Sequence, residues 1–369
     1  MKLKRVIKWG AILILVGLVG GALVAYWTST NDCDQTLLAP REPMKAIVYC
    51  DYGSPDHLRF VEIEKPTPTD DQILVQVRAA SANPLDWHYL RGIPYIMRLE
   101  TGLRKPKVTG MGVDFAGTVE AVGRNVTRFK PGDDVFGGSS GAFAEYVTMR
   151  EDRAVALKPA SVSFEQAASC PIAATTALQA LRDKAKVQSS QRVLINGASG
   201  GVGTFAVQIA KWLGADVTGV CSTNNLSLVR SIGADQLVDY KKEDFSKGEQ
   251  RYDVIIDNVG NRALSDYRRV LTPNGTYVRI GGGGPDDGRW IGPLAGPMKA
   301  LLLSPFVSQN LITLLAKLNK EDLVTLADLM QSGKLRPVID RHFPLKDVPD
   351  AIRYLEEGHA RGKVIITFD

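Results

Sequence analysis

The chain has 369 residues, of which 44% are hydrophobic and 23% are charged, and its formal net charge is +5. This balance is typical of a folded globular protein, and the length suits two domains with separate cores. No basic stripe with interleaved aromatic residues is visible, so the sequence gives no support to nucleic-acid binding. None of the four cysteines stands in a C-x-x-C pair, which argues against a disulfide framework and against a structural zinc lobe.

Residues 1–28 predict a membrane anchor. Gly10 to Trp27 contains no charged residue, and a helix of this length extends about 27 Å, close to the roughly 30 Å hydrocarbon thickness of a bilayer. Trp9, Tyr26 and Trp27 would then lie at the two interfaces. A cleaved signal peptide is the alternative, although the apolar run is long for one and no A-x-A site follows. We therefore expect a single-pass membrane protein.

The residues that follow predict a linker and then a β-rich domain. Residues 29–43 are polar and contain two prolines, as expected of a linker. Residues 44–163 hold short apolar runs separated by Gly, Pro and Asp turns, which favours strands. These runs are KAIVYCDYG, DQILVQVRAASA, VDFAGTVEAVG and AFAEYVTM.

Residues 164–335 change to an alternation of strands and helices, which predicts a parallel sheet with both faces covered. Predicted helices include 203–213, 226–232 and 264–270, and Asn319 is expected to cap another. Residues 282–305 are glycine-rich and then apolar, which suits either a helix in the core or a lid or membrane-facing patch. Residues 336–369 end in the strand-like run GKVIITF, which is expected to return to the first domain.

A glycine cluster separates a predicted strand from a predicted helix in NGASGGVGTFAVQIAK. Glycine lets backbone N–H groups approach a phosphate, and the positive end of the helix dipole favours the same anion. Ala198 stands where the usual pattern has its first glycine. The predicted dinucleotide-binding turn comprises Ser199, Gly200, Gly201, Val202 and Gly203.

The sequence after this turn favours NADP. An acidic residue that binds the ribose 2′-hydroxyl is expected about 20 residues further on, but VTGVCSTNNLSLVR contains none. A carboxylate at this position would repel a 2′-phosphate, and Ser222 and Thr223 could donate hydrogen bonds to one. Because parallel-sheet ligands bind at the carboxyl ends of strands, we also expect contacts from Asn258, Gly260 and Gly281.

Several stretches together resemble the medium-chain dehydrogenase/reductase superfamily, and especially its zinc-independent quinone-oxidoreductase branch. The resemblance covers nearly all of residues 44–369. It is carried by ANPLDWHYLRG, GVDFAGTVEAVG, FKPGDDVFG, GAFAEYV, NGASGGVGTFAVQIAK and RGKVIITF. It implies an α/β protein with a GroES-like β-rich catalytic domain, a Rossmann domain with a doubly wound parallel sheet, NADPH in the cleft between them, and a homodimer.

The resemblance also implies individual site residues. Tyr240 matches a tyrosine that approaches the 2′-phosphate, and Thr176 matches a threonine beside the cofactor. Relatives often carry a basic residue at the position of Asn224. Lys363 is a further candidate for a cofactor contact, with a surface position as the alternative.

The expected substrate side of the cleft lies in ANPLDWHYLRG. The resemblance places Asn83 near the nicotinamide, with a structural turn asparagine before Pro84 as the alternative. His88 and Tyr89 follow within one or two helical turns and could donate a proton or a hydrogen bond. Relatives often have tyrosine where this chain has His88, so the donor is left open, and Asp86 is expected to be structural.

No zinc site is predicted. In zinc-dependent members the ligands are a Cys, a Gly-His-Glu motif and a later Cys or His. The first two positions correspond here to Asn83 and to Gly112-Val113-Asp114, which do not make a tetrahedral zinc site. Without a Lewis acid, conjugated acceptors that delocalise the charge of an incoming hydride are the easier substrates.

We therefore expect a zinc-independent, NADPH-dependent reductase of a small lipophilic quinone or α,β-unsaturated carbonyl, anchored in a membrane. The four basic residues before the apolar run would place the body across the membrane, whereas NADPH is supplied more easily in the cytoplasm, so the side is left open. The alternative is an NADPH-binding protein with weak catalysis that acts as a sensor or a trafficking factor.

Overall fold

The first sheet combines the β-rich runs of residues 44–163 with two strands from the C-terminal end of the chain. The computed structural model describes residues 20–21, 24, 31, 33–281 and 307–368. Within them the strands of this sheet and of a separate two-stranded ribbon are β1 (Pro43–Val48), β2 (Arg59–Glu64), β3 (Gln72–Ala82), β4 (Asp114–Val122), β5 (Asp134–Gly138), β6 (Tyr146–Arg150), β7 (Val155–Leu157), β14 (Ile339–Pro344) and β15 (Lys363–Thr367). The sheet has the order β14-β15-β3-β4-β5-β7, with β6 also paired to β3, while β1 and β2 form the antiparallel ribbon.

The second sheet is parallel, and its strands are β8 (Arg192–Asn196), β9 (Asp216–Cys221), β10 (Gln236–Asp239), β11 (Tyr252–Asp257), β12 (Leu271–Arg279) and β13 (Asn310–Thr313). Their order is β10-β9-β8-β11-β12-β13. Strand order reverses between β8 and β11, and ligands of such sheets bind beyond the carboxyl ends of the strands at this point.

The helices connect and cover these sheets. The described α-helices are α1 (Cys33–Thr36), α2 (Pro84–Arg91), α3 (Arg98–Thr101), α4 (Phe164–Ala168), α5 (Pro171–Leu178), α6 (Gly201–Trp212), α7 (Leu226–Ser231), α8 (Leu264–Val270), α9 (Lys320–Gln331) and α10 (Val348–Glu356). α2 begins at a proline, whose fixed φ suits the first helical position, and ends where Gly92 adopts φ 58°.

Two cores hold the sheets in place. Phe205 and Ile209 of α6 are buried with Ile195 of the parallel sheet, whereas Trp87 of α2 is buried with Phe115 of β4. Each fully buried large apolar side chain contributes roughly 1.5–3 kcal/mol. The two cores therefore fix α6 on the parallel sheet and α2 on the first sheet.

In the described part of residues 164–335, the predicted alternation of strands and helices is confirmed. The predicted helix 264–270 is α8, and Asn319 caps α9 by accepting a hydrogen bond from the Asp322 N–H at 2.8 Å. The predicted β-rich unit also contains α2, which the sequence reading did not distinguish from the strands around it. Residues 282–305, with their predicted lid or core helix, lie outside the described residues, and the domain boundaries themselves stay predictions.

The localisation predicted from the N-terminal sequence is wrong on the evidence of this structure. In the part of the chain that it describes, none of the helices is long and apolar enough to cross a membrane. The run from Gly10 to Trp27, on which the predicted span was based, lies largely outside the described residues. We therefore withdraw the single-pass membrane assignment.

The interpretation of the cysteines is also corrected, because Cys33 and Cys50 form a disulfide with a Cα–Cα distance of 5.6 Å. Cys33 begins α1, and Cys50 follows β1. The same segment is held by the Asn31 side chain, which donates to the Cys50 carbonyl at 2.7 Å, and by a contact between the Thr36 and Thr109 hydroxyls at 3.3 Å. The disulfide therefore fastens α1 to the loop that follows β1 of the antiparallel ribbon. Cys170 and Cys221 are buried free thiols.

Removing the disulfide should destabilise the protein. Its cysteines are 17 residues apart, and a cross-link closing a loop of this size contributes roughly 3 kcal/mol. We expect Cys33→Ser to lower the free energy of unfolding in guanidinium by up to this amount. A thiol-free phosphine reductant should destabilise the unmodified chain equally and leave the Cys33→Ser variant unchanged. A reductant effect on the variant would instead locate the redox-sensitive group elsewhere.

Candidate functional site

The glycine turn lies at the reversal point of the parallel sheet, between β8 and α6. Gly197 leaves the strand with φ 78°, and the Gly200 N–H donates to its carbonyl at 3.2 Å. A Cβ on Gly203 would overlap that carbonyl, so α6 can approach the turn only with glycine at this position. A Cβ on Gly200 would be 3.6 Å from the same oxygen, an ordinary contact. The first turn of α6 therefore presents unpaired backbone N–H groups, as a diphosphate requires.

Two buried side-chain oxygens beside this turn have no hydrogen-bond partner within the described chain. They are Oδ1 of Asn225 and Oδ1 of Asn258. The Asn225 amide donates to the Ser199 hydroxyl at 3.0 Å, and the Asn258 amide donates to the Asn196 carbonyl at 3.0 Å. An unpaired buried acceptor is costly unless a ligand donates to it. The cleft therefore offers acceptors suited to the hydroxyl and amide groups of a dinucleotide.

The ends of β11 and β12 form the adjoining wall. Asp257, which is fully buried, accepts the Gly260 N–H at 2.9 Å and the Tyr277 hydroxyl at 2.7 Å. Gly260 has φ 69°, and a Cβ on Gly281 would overlap the Asn258 carbonyl. Asp257 thus fixes the turn that carries the predicted cofactor residues Asn258 and Gly260.

The predicted 2′-phosphate residues Ser222, Thr223 and Tyr240 meet at the ends of β9 and β10. The Tyr240 N–H donates to the Cys221 carbonyl at 3.1 Å, and the Tyr240 side chain is 49% exposed. The structure adds an acid that the sequence reading did not include, because the Thr223 hydroxyl donates to Asp239 at 2.6 Å. This hydrogen bond holds the pKa of Asp239 below its usual range, so a carboxylate borders the predicted phosphate position.

Asn83 lies between β3 and α2, facing the glycine turn from the first sheet. It is 2% exposed. Its amide donates to Asp114 at 2.9 Å and to the Ser81 carbonyl at 3.2 Å, while its oxygen accepts from the Lys363 ammonium at 2.5 Å. Both the amide and the oxygen of Asn83 are therefore hydrogen-bonded within the protein. The side chain connects β3, β4 and β15 at this position.

Three ionisable groups are buried around Asn83. Burial raises the pKa of Asp86 to about 7 and that of Asp114 to about 6, and it lowers the pKa of Lys363. Asp86 accepts the Asn83 N–H at 2.7 Å through one oxygen, and its other oxygen has no partner among the described atoms. The cluster therefore contains two carboxyl groups and one ammonium in a water-poor site.

His88 and Tyr89 differ in whether they carry a proton that could be donated to a ligand. His88 Nδ1 lies 2.8 Å from the Ile93 carbonyl, which can only accept, so Nδ1 carries the proton. Burial lowers the pKa of His88, and the neutral ring therefore has no proton on Nε2. Burial raises the pKa of the half-buried Tyr89, which keeps its hydroxyl proton at neutral pH.

Thr176 of α5 lies on the inner side of the same junction. Its hydroxyl donates to the Ile172 carbonyl at 2.7 Å, and the Ile172 N–H donates to Asp114 at 3.1 Å. α5 is therefore tied to the first sheet through Asp114. The structure thus connects Asn83, Lys363 and Thr176 through Asp114 and Ile172, and it places Lys363 beside Gly201 of the glycine turn. The role of each predicted site residue stays a prediction.

Sequence reasoning missed Asn225, Asp239 and Asp257 as members of this site. Each follows or ends a strand of the parallel sheet, which is the signal that could have identified them. For Lys363 the sequence allows either a cofactor contact or a surface position. The structure places Lys363 in the interior with 2% exposure.

Comparisons with known proteins agree with this arrangement. Two family models match, "Alcohol dehydrogenase GroES-like domain" over residues 69–159 and "Zinc-binding dehydrogenase" over residues 232–366. A spinach "Quinone-oxidoreductase homolog, chloroplastic" is 34% identical over 88% of this chain and 98% of its own length. A tomato "2-methylene-furan-3-one reductase" is 34% identical over 88% of this chain and 79% of its own length.

A solved structure of Escherichia coli quinone oxidoreductase complexed with NADPH superposes with a TM-score of 0.74. It is 26% identical and covers 88% of this chain and 99% of its own. The chain therefore belongs to the medium-chain dehydrogenase/reductase superfamily, in its zinc-independent quinone oxidoreductase-like branch.

One family description names zinc, and the residues at the corresponding positions do not fit it. Asn83 and Asp114 are bridged through the Lys363 ammonium, which lies 3.8 Å from Asp114. Val113 has no metal-binding atom, and the Asn83 amide is already hydrogen-bonded. A divalent cation would meet a fixed positive charge with an incomplete ligand set. The described residues also contain no group of three or more His, Cys, Asp or Glu suited to a metal.

Gly203→Ala should disrupt the turn itself. The added methyl group would overlap the Gly197 carbonyl, and such overpacking costs about 1–3 kcal/mol. We expect a lower unfolding free energy together with loss of NADPH binding, measured by denaturant unfolding and by fluorescence titration. Gly200→Ala is the matched control, because its methyl group has room in the unliganded chain. It should keep the stability while weakening NADPH binding, and equal destabilisation by both variants would contradict this account.

Asp86 should make stability depend on pH. Its folded pKa of about 7 lies above its ordinary value of 3.8, so the folded state binds the proton more tightly. Stability from this group is greatest at low pH, falls as pH rises between these values, and is constant above pH 7, with a slope of at most about 1.4 kcal/mol per pH unit. We therefore expect Asp86→Asn to gain stability relative to the unmodified chain between pH 5 and 7, measured by thermal unfolding.

Asp239→Asn is the control for this measurement. The pKa of Asp239 is lowered, so its contribution changes only below pH 4, and its stability difference should be flat between pH 5 and 8. A flat profile for Asp86→Asn as well would show that Asp86 is ionised throughout this range.

Proposed function

We propose that the chain transfers a hydride from NADPH to a quinone or an α,β-unsaturated carbonyl compound without a metal ion. Membership of the branch makes it an NAD(P)-dependent oxidoreductase. The observation that carries the proposal is the approach of the glycine turn to the first sheet. At this junction Lys363 of the first sheet is buried beside Gly201. The names of the spinach and tomato relatives, a quinone oxidoreductase homolog and a furanone reductase, support both acceptor classes.

The residues present fit NADP. The N–H groups at the start of α6 would hold the diphosphate, and the unpaired oxygens of Asn225 and Asn258 would accept hydrogen bonds from the nucleotide. Ser222 and Tyr240 would border the 2′-phosphate. The Escherichia coli structure with NADPH at a similar fold supports this cofactor.

The cofactor supplies the hydride, and the protein supplies orientation and electrostatics. When a quinone or an α,β-unsaturated carbonyl compound accepts a hydride, its conjugated system moves the negative charge onto the carbonyl oxygen. Hydrogen-bond donors can stabilise that oxygen where no Lewis acid is present. A simple alcohol would need its alkoxide stabilised, which is the task of zinc in metal-dependent enzymes. The proposed site therefore favours conjugated acceptors over alcohols.

Completing the reduction requires one proton for each hydride. Tyr89 holds a hydroxyl proton and is partly exposed, whereas the neutral His88 has its one ring proton bonded to the Ile93 carbonyl. We therefore assign proton or hydrogen-bond donation to Tyr89. His88 stabilises the end of α2 through the same bond.

The particular substrate and a homodimer remain predictions from the resemblance. The alternative of a weakly catalytic sensor or trafficking protein is not favoured, because the relatives described above are named as reductases and oxidoreductases.

The function can be tested by NADPH consumption with the purified full chain in the presence of EDTA. We expect turnover with 1,4-benzoquinone, 9,10-phenanthrenequinone or a short enone, and slower turnover with NADH. Oxidation of a simple alcohol with NADP should be undetectable. NADPH binding without turnover of any acceptor would overturn the proposal in favour of a binding protein. Alcohol oxidation that EDTA abolishes would mean that a metal site had been overlooked.

A further inference from the structure

Lys363 is an unusual feature of this cleft because its ammonium is buried among protein oxygens. The residue is 2% exposed, and it is the first residue of β15, which lies between β14 and β3 in the first sheet. The ammonium donates to Asn83 at 2.5 Å and to the Ala82 carbonyl at 3.3 Å. Asp114, at 3.8 Å, supplies the opposing charge. Burying a charge in this way is costly unless it is paired and hydrogen-bonded, and Lys363 is both.

The contacts of Lys363 reach both sides of the cofactor cleft. On one side Asp114 accepts the Ile172 N–H at 3.1 Å and so holds the start of α5, which carries Thr176. On the other side the Lys363 stem passes the glycine turn, since a Cβ on Gly201 would lie 3.4 Å from its Cδ. Lys363 therefore contacts the first sheet directly, reaches α5 through Asp114, and lies beside the glycine turn.

Opposing electrostatic effects act on the Lys363 ammonium. Burial lowers the pKa of Lys363, and the carboxyl groups of Asp114 and Asp86 oppose that change. Removing the ammonium would leave Asp114 buried without a cation and would free the oxygen of Asn83. The resemblance matches Asn83 and Asp114 to metal-site positions of the zinc-dependent members, and the Lys363 ammonium lies beside both residues.

We infer that the Lys363 ammonium takes the place of a catalytic metal as the fixed cation of the cleft, and that Lys363 is a positioning residue for hydride transfer. It acts through Asp114, which holds the start of α5, and through its own stem beside Gly201, so that α5 and the glycine turn keep the geometry that aligns the nicotinamide with its acceptor. The expected effect of Lys363 on the rate of hydride transfer rests on the proposed function. The structural part of the inference, the placement of the bound nicotinamide, does not need turnover.

The test removes the ammonium and returns it as a small molecule. In the purified full chain, Lys363→Ala should slow single-turnover hydride transfer to 1,4-benzoquinone by about tenfold or more, because small misplacements of reacting groups have large effects on rate. The emission maximum of bound NADPH should shift, whereas its dissociation constant should change less. Propylammonium should restore rate and emission with saturation, and 1-propanol, which fills the same space without charge, should restore neither.

Two further variants keep the inference falsifiable. Lys363→Ala/Asp114→Asn removes both charges, so it should fold even where the single variant is unstable, and it should remain slow and insensitive to propylammonium. Lys158→Ala removes another buried lysine, paired with Asp134 at 3.6 Å in the first sheet. It should leave hydride transfer and NADPH emission unchanged.

The outcomes separate this inference from the proposed function. If the unmodified chain binds NADPH and reduces no acceptor, the proposed function fails, and the NADPH emission of Lys363→Ala then decides the inference. Unchanged emission and rate in Lys363→Ala or in the double variant would overturn it. Equal rescue by 1-propanol would also overturn it, because it would show that Lys363 only fills space.

Discussion

The antiparallel pairing of β15 with β3 determines where the functional groups of this protein lie. Val364 is opposite Ala82 in this pairing, so Lys363 is next to Asn83 although 280 residues separate them. A slip of one residue would turn every side chain of β15 to the opposite face and would carry the ammonium away from Asp114. The parallel sheet is inserted in the chain between β7 and β14, so both of its connections lead back to the sheet that this pairing completes.

The buried charges at the junction limit the chemistry that the cleft can perform. Lys363, Asp114 and Asp86 lie away from water, where each charge is stable only through its neighbours. The cation is bound to the protein and cannot coordinate a substrate oxygen as a metal does. In the proposed function, hydrogen-bond donors such as Tyr89 would stabilise the acceptor instead, which suffices when the acceptor delocalises its own charge. The preference for conjugated acceptors therefore follows from the charge arrangement, because a protein-bound cation replaces a metal that could coordinate the substrate oxygen.

The sequence predicted what depends on local pattern, and missed what depends on distant contacts. The strand, turn and helix around Gly203 and the bounds of α8 follow from apolar spacing and glycine placement, and the structure has them. The pairing of Cys33 with Cys50 could not be read from spacing, because both cysteines lack a recognisable motif. The burial of Lys363 depends on the register of β15 with β3, and the bond between Thr223 and Asp239 depends on the pairing of β9 with β10. A single strand's sequence contains neither piece of information.

The position of Asp239 changes the argument for NADP. The residues directly after β9 include no acid that would repel a 2′-phosphate. The last residue of β10, Asp239, nevertheless places a carboxylate beside Thr223. The Thr223 hydroxyl has one proton and donates it to Asp239 at 2.6 Å, so Thr223 cannot donate that proton to a phosphate. Lys242, 3.9 Å from Asp239, offsets part of the negative charge. In the proposed site, recognition of the 2′-phosphate would therefore depend on the exposed Tyr240, on Ser222 and on Lys242. Asp239 holds the Thr223 side chain in place.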